Sequence, residues 1–454
     1  MKKNIKRKGG IKKEIKVRDT IRRNTVEKFF KLKEHGTTVK TEVLAGITTF
    51  MTMAYILIVN PLILSDAGMD FGAVFTATAI ASILATLVMA FYANYPFALA
   101  PGMGLNAFFA YGIVLGMGYS WQIALAAVFI EGIIFMILTM LNVREAIVKA
   151  IPLNLKHAVS VGIGLFIAFI GLKNAGVVVP YEATIVSLGD ITSAGATMAL
   201  IGLLITGVLL AKKVRGALLI GIFATTILGI PLGATQLPSS FIAAPPSIMP
   251  VFLQFDFSQL FTMDMLIILF ALLFVDMFDT LGTLVGVASK AEMLDENGNL
   301  PKAKQALFAD AVGTTVGACL GTSTVTTYVE SAAGVAEGGR TGLTALSAAG
   351  MFAIALFLSP LFIMVPGAAT APALILVGLF MMSPIKKINF EDYTEAIPAF
   401  LTIIMMPLTF SIAEGIVFGM VSYAGLKVFS GKGKDVSLIM GILAIIFVIY
   451  FMFG

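Results

Sequence analysis

Residues 321–331 read GTSTVTTYVES, a hydroxyl-rich stretch set within an otherwise apolar part of the chain. Five of the six residues from 322 to 327 are serine or threonine, and Glu330 follows at a point where a helix could restart. Backbone that leaves the helical conformation at membrane depth persists only where it lines a cavity or is buried in protein. Because apolar sequence flanks the stretch on both sides, we interpret it as a broken membrane span rather than as a plain polar loop.

A second interruption lies in residues 100–107, which read APGMGLNA. Pro101, Gly102 and Gly104 predict a helix break that places Asn106 at the start of a half-helix. The stretch also fits the dinucleotide-binding pattern G-x-G-x-x-A. That motif requires a preceding strand within a βαβ unit, whereas this stretch lies within a membrane span, so the match is weak evidence for nucleotide binding. The two interruptions are about 220 residues apart, and paired breaks in two halves of a chain indicate the binding site of a transporter. An asparagine amide both donates and accepts, so Asn106 could pair with the polar edge of a heterocycle.

The composition of the whole chain excludes several classes of protein. Charged residues make up 13% of the 454 residues, against about 25% in a typical soluble protein. Hydrophobic residues make up 58%, and the mean hydropathy is +0.96. These values exclude a soluble enzyme and a disordered protein, and a single cysteine, Cys319, excludes a disulfide scaffold. A polytopic membrane protein remains.

Apolar segments long enough to span a bilayer, about 20 residues each, run through most of the chain. We place them at residues 43–64, 71–93, 97–118, 121–141, 155–176, 195–211, 216–234, 262–288, 304–320, 322–336, 342–363, 367–383, 395–410, 412–428 and 436–453. About fourteen crossings are expected, which predicts an all-α polytopic membrane protein. The two halves correspond in order, and because seven crossings is an odd number, a seven-plus-seven repeat is inverted across the membrane.

The segment pattern divides the chain into five parts. They are a basic tail (1–40), a first seven-span repeat (41–234), a Pro-rich external loop (235–261), a second seven-span repeat (262–430) and a C-terminal apolar segment (431–454). The topology of the last part stays open, because residues 436–453 fit either a fifteenth crossing or a helix lying at the membrane interface.

Positive charge is concentrated in the tail and in one set of loops. Residues 1–40 hold 15 of the 31 Lys and Arg residues, which predicts a cytoplasmic N-terminus at the cell membrane and no signal peptide. A nucleic-acid-binding arm is disfavoured, because only membrane segments follow the tail. The predicted external loops carry almost no cations, Lys173 being the exception. The predicted cytoplasmic loops carry Arg144, Lys149, Lys156, Lys212, Lys213, Arg215, Lys290, Lys302, Lys304, Arg340, Lys386 and Lys387. Three further cations, Lys427, Lys432 and Lys434, lie on the cytoplasmic side only if residues 395–410 and 412–428 are two separate crossings.

Ionisable residues inside apolar segments are costly, and they are therefore candidates for function. Asp276 and Asp279 are spaced i, i+3, so we expect them to share one helix face. Burial there would favour the neutral carboxyl, which suits a proton carrier; a structural carboxylate is the alternative. Glu131 lies in mid-span and fits a structural role and a proton path equally well. Asp310 is expected to be structural, near the cytoplasmic end of its span. No cofactor or metal site is expected, because neither histidine lies near a second ligand.

Several longer stretches resemble the AzgA-like branch of the nucleobase–cation symporter-2 permeases. They are residues 49–55 (TFMTMAY), 100–111 (APGMGLNAFFAY), 245–256 (PPSIMPVFLQFD), 274–286 (FVDMFDTLGTLVG) and 321–344. The resemblance covers the chain from about residue 40 to about residue 430, and several of the matching stretches are long.

The resemblance implies a fourteen-span inverted repeat with a core and a gate domain and with short extended strands in the third and tenth spans. It implies a symporter that imports adenine, guanine or hypoxanthine by alternating access, coupled to protons, with Na⁺ left open as the coupling ion. It also implies that Gly104, Asn106, Asp276 and Glu330 bind the substrate, and that Asp276, Asp279 and Glu330 carry the coupled proton. A purine, a coupling ion and the lipid bilayer are the expected partners, nucleic acid is not, and a homodimer is left open.

Two other functions stay open at this point. A sulfate-type anion carrier shares the seven-plus-seven plan, although three buried carboxylates would repel an anion. An intramembrane enzyme could use Asp276 and Asp279. An aspartyl protease, however, needs aspartates on different spans, and a prenyl transferase needs an aspartate-rich pair at the aqueous end. Neither second motif is present, so the predicted class is a transporter and not an enzyme.

Overall fold

A computed structural model of the chain describes residues 26–141, 152–260, 262–295 and 300–453. Most of the basic tail and the loop residues Arg144 and Lys149 lie outside the described residues.

The described residues are mostly helical, and the elements follow the apolar segments in order. The first half contains α1 (Val39–Met53), α2 (Ile56–Asp66), α3 (Phe71–Val88), β1 (Leu99–Pro101), α4 (Met103–Ala107), α5 (Trp121–Met140), α6 (Leu153–Asn174), β2 (Val178–Tyr181), β3 (Ile185–Leu188), α7 (Ala194–Ala211) and α8 (Ala217–Leu228). The second half contains α9 (Met263–Lys290), α10 (Ala303–Leu320), β4 (Val325–Thr327), α11 (Ser331–Ala336), α12 (Gly342–Phe357), α13 (Ser359–Ile363), α14 (Gly367–Met381), α15 (Tyr393–Thr409), α16 (Ile412–Phe429) and α17 (Leu438–Phe453). Wider π-helical turns extend α3 over Met89–Ala93 and α4 over Phe108–Gly116.

Helix starts are specified locally by capping side chains. Among the described residues, nine helices begin after a Ser, Thr or Asp whose side chain accepts a backbone N–H of the first turn. These residues are Thr38, Asp70, Ser120, Ser193, Thr262, Thr341, Asp392, Ser411 and Ser437. Such a cap stabilises a helix by about 1 kcal/mol, so the sequence sets these boundaries.

Many helices are long and apolar enough to cross a bilayer. Among the described residues there are eight of them, spanning Val39–Asp66, Phe71–Ala93, Trp121–Met140, Leu153–Asn174, Ala194–Ala211, Met263–Ser289, Gly367–Lys387 and Ile412–Phe429. Shorter apolar helices lie between them, and they include the half-helices of the third span. The chain is therefore a multi-pass membrane protein.

The helices pack as two groups, which we call the core bundle and the gate bundle. The core bundle consists of α1–α5 and α9–α12, in which α10 packs against α3 and α5, and α12 packs against α1 and α3. The gate bundle consists of α6–α8 and α14–α16, in which α6 packs against α14 and α15. Each bundle therefore takes helices from both halves of the chain.

Two short strands meet inside the core bundle. β1 pairs antiparallel with β4, with Leu99 opposite Thr327 and Pro101 opposite Val325. Each strand is followed by a short helix: α4 begins two residues after the end of β1, and α11 begins four residues after the end of β4. All six strand residues are buried, so the irregular backbone of the two broken spans is enclosed by protein, as such backbone must be at membrane depth.

The end of the gate bundle is a helical hairpin. α15 and α16 are separate helices, joined at Phe410, whose φ of 55° is left-handed. Lys427 Nζ lies 2.7 Å from Glu395 Oε1, and Lys432 Nζ donates to Asp392 Oδ2 at 2.7 Å. The Lys432 hydrogen bond and those from Thr394 hold the pKa of the Asp392 carboxyl below its usual range. The two helices therefore start and end on the same side, as the charge distribution requires.

The last helix, α17, packs by one face. Met440, Ala444 and Phe447 are buried, and the ring of Phe447 lies 5.4 Å from that of Phe270 on α9. The other faces expose aliphatic side chains such as Ile445, which is 62% exposed. The contact places α17 beside α9 and α16, while its topology in the membrane stays a prediction.

Candidate substrate site

A polar cleft lies where the paired strands of the core bundle face the gate bundle. Its volume is about 420 Å³, including the part that is open to solvent. The lining residues are Tyr55, Gly102, Met103, Gly104, Asp279, Thr283, Thr326, Thr327, Tyr328, Val329 and Glu330 from the core bundle, and Val377 and Met381 from α14. The cleft thus combines two carboxyl side chains with hydroxyl, aromatic and apolar groups, as is usual for a site that orients a small polar ligand.

Glu330 occupies the position just before α11, where the sequence predicted that a helix restarts. The Tyr55 hydroxyl donates to Glu330 Oε1 at 2.6 Å, a length typical of a charge-assisted O–H···O bond. Tyr55 lies in the short break between α1 and α2, so a break in the first span brings it to the cleft. The sequence does not mark Tyr55 as a site residue, because no glycine or proline stands at this break and a tyrosine within an apolar segment usually belongs to the core.

The two aspartates of α9 have different surroundings. Asp279 lines the cleft, whereas Asp276 is fully buried and does not line it. The Thr280 hydroxyl lies 3.2 Å from Asp276 Oδ1 and 2.8 Å from the hydroxyl of Thr326 on β4. Asp276 therefore supports the wall of the cleft, and its predicted contact with the substrate stays a prediction.

The third span brings two glycines to the cleft, but not Asn106. The half-helix α4 begins at Met103, and Asn106 lies almost one turn inside it instead of at its start. Ser323 Oγ donates to Asn106 Oδ1 at 2.5 Å, and Asn106 Nδ2 lies 3.5 Å from the carbonyl of Pro101. The Asn106 amide is thus turned toward the strands behind the cleft, and its direct contact with a substrate stays a prediction.

Gly102 and Gly104 allow close approach at the cleft. A Cβ at Gly102 would lie 2.7 Å from Cγ2 of Thr326, and a Cβ at Gly104 would lie 2.8 Å from Cγ2 of Ile163 on α6. Because both distances are shorter than van der Waals contact, only glycine lets β4 and the gate helix come this near.

The hydroxyl-rich stretch anchors the core bundle. Each of the five Ser and Thr side chains in residues 322–327 contacts a polar side chain of a different helix. The pairs are Thr322 with Asn60 (2.8 Å), Ser323 with Asn106 (2.5 Å), Thr324 with Glu131 (2.7 Å), Thr326 with Thr280 (2.8 Å) and Thr327 with Asp310 (2.8 Å). Asp310 is fully buried in this network. The stretch is therefore the hub that fixes the strands at the back of the cleft.

One face of α9 is exposed beyond the cleft. Gly282, Gly286 and Ser289 are exposed, and they follow Asp279 at helical spacing along α9, so they lie on the same face. This exposed face leads from Asp279 to the end of α9 that carries Lys290.

The opposite end is closed by a cluster that joins both bundles. Tyr111 of the core bundle donates to Asp66 Oδ2 at 2.6 Å, and Asn174 Nδ2 of the gate bundle donates to the Tyr111 hydroxyl at 3.4 Å. Lys173 Nζ lies 5.7 Å from the centre of the Tyr111 ring and 5.2 Å from that of the Phe410 ring. The single cation predicted on the external side therefore belongs to the closed end.

The fold and the site together define a class of protein. Two broken spans in corresponding positions pair at the centre of a membrane bundle and border a polar cleft, which is the arrangement of a secondary transporter built from repeats. The chain is such a transporter. Residues 40–418 match the family Xan_ur_permease, described as a permease family, and the chain belongs to this family. The resemblance found in the sequence is confirmed, and the enzyme alternatives are excluded because the family consists of permeases.

Relatives match over nearly the whole chain. It is 54% identical to a Methanocaldococcus jannaschii protein named as a permease, over 94% of this chain and 98% of that protein. It is 45% identical to the adenine permease AdeP of Escherichia coli, over 94% and 96% of the two chains. It is 46% identical to the guanine/hypoxanthine permease PbuO of Bacillus subtilis, over 92% and 99%.

A solved structure confirms the fold class. The transmembrane domain of a cyanobacterium bicarbonate transporter, BicA, matches with a TM-score of 0.63 at 15% identity, covering 84% of this chain and 97% of that one. At this identity the likeness concerns the fold alone, which is the seven-plus-seven transporter fold.

Proposed function

We propose that this chain imports purine nucleobases, such as adenine, guanine or hypoxanthine, across the cell membrane by symport with protons. The observation that carries the proposal is the Glu330 carboxylate, held by Tyr55 at the surface of a cleft between two bundles. Relatives of nearly equal length are named as an adenine permease and a guanine/hypoxanthine permease, which supports this substrate class.

Glu330 is suited to a purine by its hydrogen-bonding chemistry. A purine presents ring N–H donors beside ring acceptors, and an ionised carboxylate only accepts. With Tyr55 bound to one carboxylate oxygen, the other oxygen accepts from the purine, and Gly104 contributes by letting α6 pack close to the cleft. Asn106 and Asp276 act from behind the cleft. Asn106 accepts a hydrogen bond from Ser323. Asp276 contacts Thr280, which in turn contacts Thr326 in the cleft wall.

The coupled proton is assigned to the carboxyls around the cleft. Asp279 and Glu330 both line it, and two carboxylates that share a site repel each other when both are ionised. A proton on one of them removes this repulsion, and the other carboxylate remains ionised to accept from the purine. Proton binding and substrate binding therefore favour each other. Asp276, one turn before Asp279, is the third member of the proposed set.

Alternating access follows from the closed and open ends. With the N-terminus in the cytoplasm, the open face of α9 leads to the cytoplasmic side and the Tyr111 cluster closes the external side. Opening to the outside requires Tyr111 to separate from Asn174, and the resulting movement of the core bundle against the gate bundle carries the strands and the substrate together.

Anion transport is the second candidate, because one of the matching solved structures is a bicarbonate transporter. Its support is the fold alone. Asp279 and Glu330 at the cleft disfavour it, since a carboxylate at low dielectric repels an anion.

Uptake into cells that lack their own carriers tests the proposal. We expect uptake of labelled adenine, hypoxanthine or guanine, and no uptake of labelled uracil or sulfate above the level of the empty vector. Sulfate uptake without purine uptake would contradict the proposal and favour the anion carrier.

A further inference from the structure

Glu131 is a buried acid that the proposed transport chemistry does not use. It lies in the middle of α5 and is fully buried. Thr324 Oγ1 donates to Glu131 Oε2 at 2.7 Å. Within the described residues, Glu131 Oε1 has no hydrogen-bond partner.

Among the side chains that the structure describes, the elements packed against α5 bring no balancing cation to this carboxyl. They are α9, α10, the π-helical extension of α4 and the loop before α9. Their titratable residues are Asp264, Asp276, Asp279 and Lys290 on α9, Lys304, Asp310 and Cys319 on α10, Tyr111 on the extension and Asp256 in the loop, and Lys290 is the last residue of α9. Lys304 Nζ donates to the carbonyl of Met140, which at 1.5 Å per residue lies about 13 Å along α5 from Glu131.

An ionised carboxylate in this position would be costly. Removing a charge from water costs several kcal/mol unless a partner charge or several donors compensate for it, and Glu131 has one donor, Thr324. An O–H group without a partner costs less, about 1–3 kcal/mol. The surroundings of Glu131 therefore fit the protonated carboxyl.

Thr324 links Glu131 to the cleft. The carbonyl oxygen of Thr324 accepts from the backbone N–H of Gly102 at 2.9 Å. Gly102 lines the cleft and precedes α4. One residue therefore connects the buried acid, through its side chain, and the cleft surface, through its backbone.

We propose that Glu131 is a positioning residue for proton coupling: it holds a proton in the conformation seen here, and it acts on the cleft through Thr324. The inference rests on the proposed proton-coupled purine transport. When the proton leaves to water in the open cleft, the remaining charge disfavours this conformation, and the strands move toward the externally open state. There the carboxyl is protonated again, so the protonation of Glu131 follows the conformational cycle, while the carboxyls around the cleft carry the coupled proton.

The test uses purified protein in liposomes, with labelled adenine as the probe. Two quantities are measured for each variant: exchange of labelled for unlabelled adenine without a gradient, and accumulation driven by an imposed pH gradient. Glu131→Gln keeps the size of the side chain and its acceptor for Thr324, but it cannot release a proton. We expect exchange within about twofold of the unmodified protein and a loss of accumulation of at least about tenfold. The pH dependence of exchange should become shallower than that of the unmodified protein.

Two further variants make the result specific. Thr324→Val removes the donor while keeping the shape, and it should reduce accumulation more than exchange. Glu182→Gln removes an exposed carboxyl between β2 and β3, and it should change neither quantity.

Three outcomes would contradict the proposal, and the measurements distinguish them. Glu131→Gln protein that accumulates adenine normally, with an unchanged pH profile, would show that Glu131 is merely structural. Equal loss of exchange and accumulation would also overturn the proposal, because Glu131 would then belong to the binding surface. If the unmodified protein exchanged no purine at all, the proposed function itself would be wrong, and this inference with it.

Discussion

The contact between Tyr55 and Glu330 determines how the carboxylate is presented to a ligand. Tyr55 is 1% exposed and so is held in one place by its neighbours. Its hydroxyl fixes one oxygen of Glu330, so the carboxylate is oriented before a substrate binds. Preorganisation of this kind raises affinity, because the cost of ordering the side chain has already been met in the free protein.

Removing the Tyr55 hydroxyl should weaken purine binding. Tyr55→Phe keeps the ring but deletes a hydrogen bond to a charged group, and such a bond contributes about 1.5–3 kcal/mol. Part of that is regained when water reaches Glu330, so we expect affinity for adenine or hypoxanthine to fall about tenfold. Equilibrium binding to the purified protein measures it. Tyr92→Phe is the matched control, since Tyr92 is 56% exposed on the outer surface. Equal affinities for the two variants would contradict the role of Tyr55.

At the residue scale, the sequence indicates which residues are polar but not which way they face. Glu330 and Asp279 were predicted as site residues, and both line the cleft. Asn106 and Asp276 were selected by the same reasoning, yet their side chains turn toward Ser323 and Thr280. The face that a half-helix presents depends on strands from the other half of the chain, and no local pattern encodes that pairing.

At the element scale, one buried carboxylate joins the first and eleventh spans. Glu42 on α1 accepts from the backbone N–H groups of Arg340, Thr341 and Thr344, and from the hydroxyls of Thr341 and Thr344. These groups surround the start of α12, where unpaired N–H groups and the helix dipole favour a negative charge. Glu42 directly precedes the apolar segment 43–64 and follows the basic tail. Its position in the sequence therefore does not distinguish it from a surface acid.

Glu42→Ala should destabilise the fold more than the removal of an exposed acid such as Glu34. It leaves several buried donors without an acceptor, each costing about 1–3 kcal/mol. We expect the thermal unfolding midpoint of the detergent-solubilised protein to fall by about 5 °C or more. Glu34→Ala, which removes a side chain that is 67% exposed in a surface ion pair, should leave the midpoint within about 1 °C. If both variants unfolded at the same temperature, the Glu42 network would not be a structural anchor.

The boundaries of the elements could be predicted well, and for a physical reason. Apolar length, capping residues and Pro, Gly or Thr-rich breaks are local signals, and they placed the interruptions of the third and tenth spans. The break at Tyr55 was missed, because residues 43–64 read as one uninterrupted apolar segment. There the helix ends at Met53 and restarts at Ile56 without any residue that requires it, so tertiary packing determines the break.

At the scale of the whole molecule, proton coupling predicts which gradient drives uptake. The carboxyls in and behind the cleft can carry protons. Accumulation of adenine in cells should stop when a protonophore collapses the proton gradient, and it should persist when K⁺ replaces Na⁺. Full uptake with the proton gradient collapsed and Na⁺ present would assign the coupling to Na⁺ instead.

The most direct test of the account is equilibrium binding of a purine to the Glu330→Gln protein. The substitution keeps size and shape but turns one acceptor into a donor that faces the purine N–H. A mispaired buried polar group costs about 1–3 kcal/mol, and 1.4 kcal/mol is about tenfold in affinity. We therefore predict at least about tenfold weaker binding of adenine or hypoxanthine, with normal membrane insertion. Unchanged affinity would show that the purine does not bind at Glu330 and would contradict the proposed site.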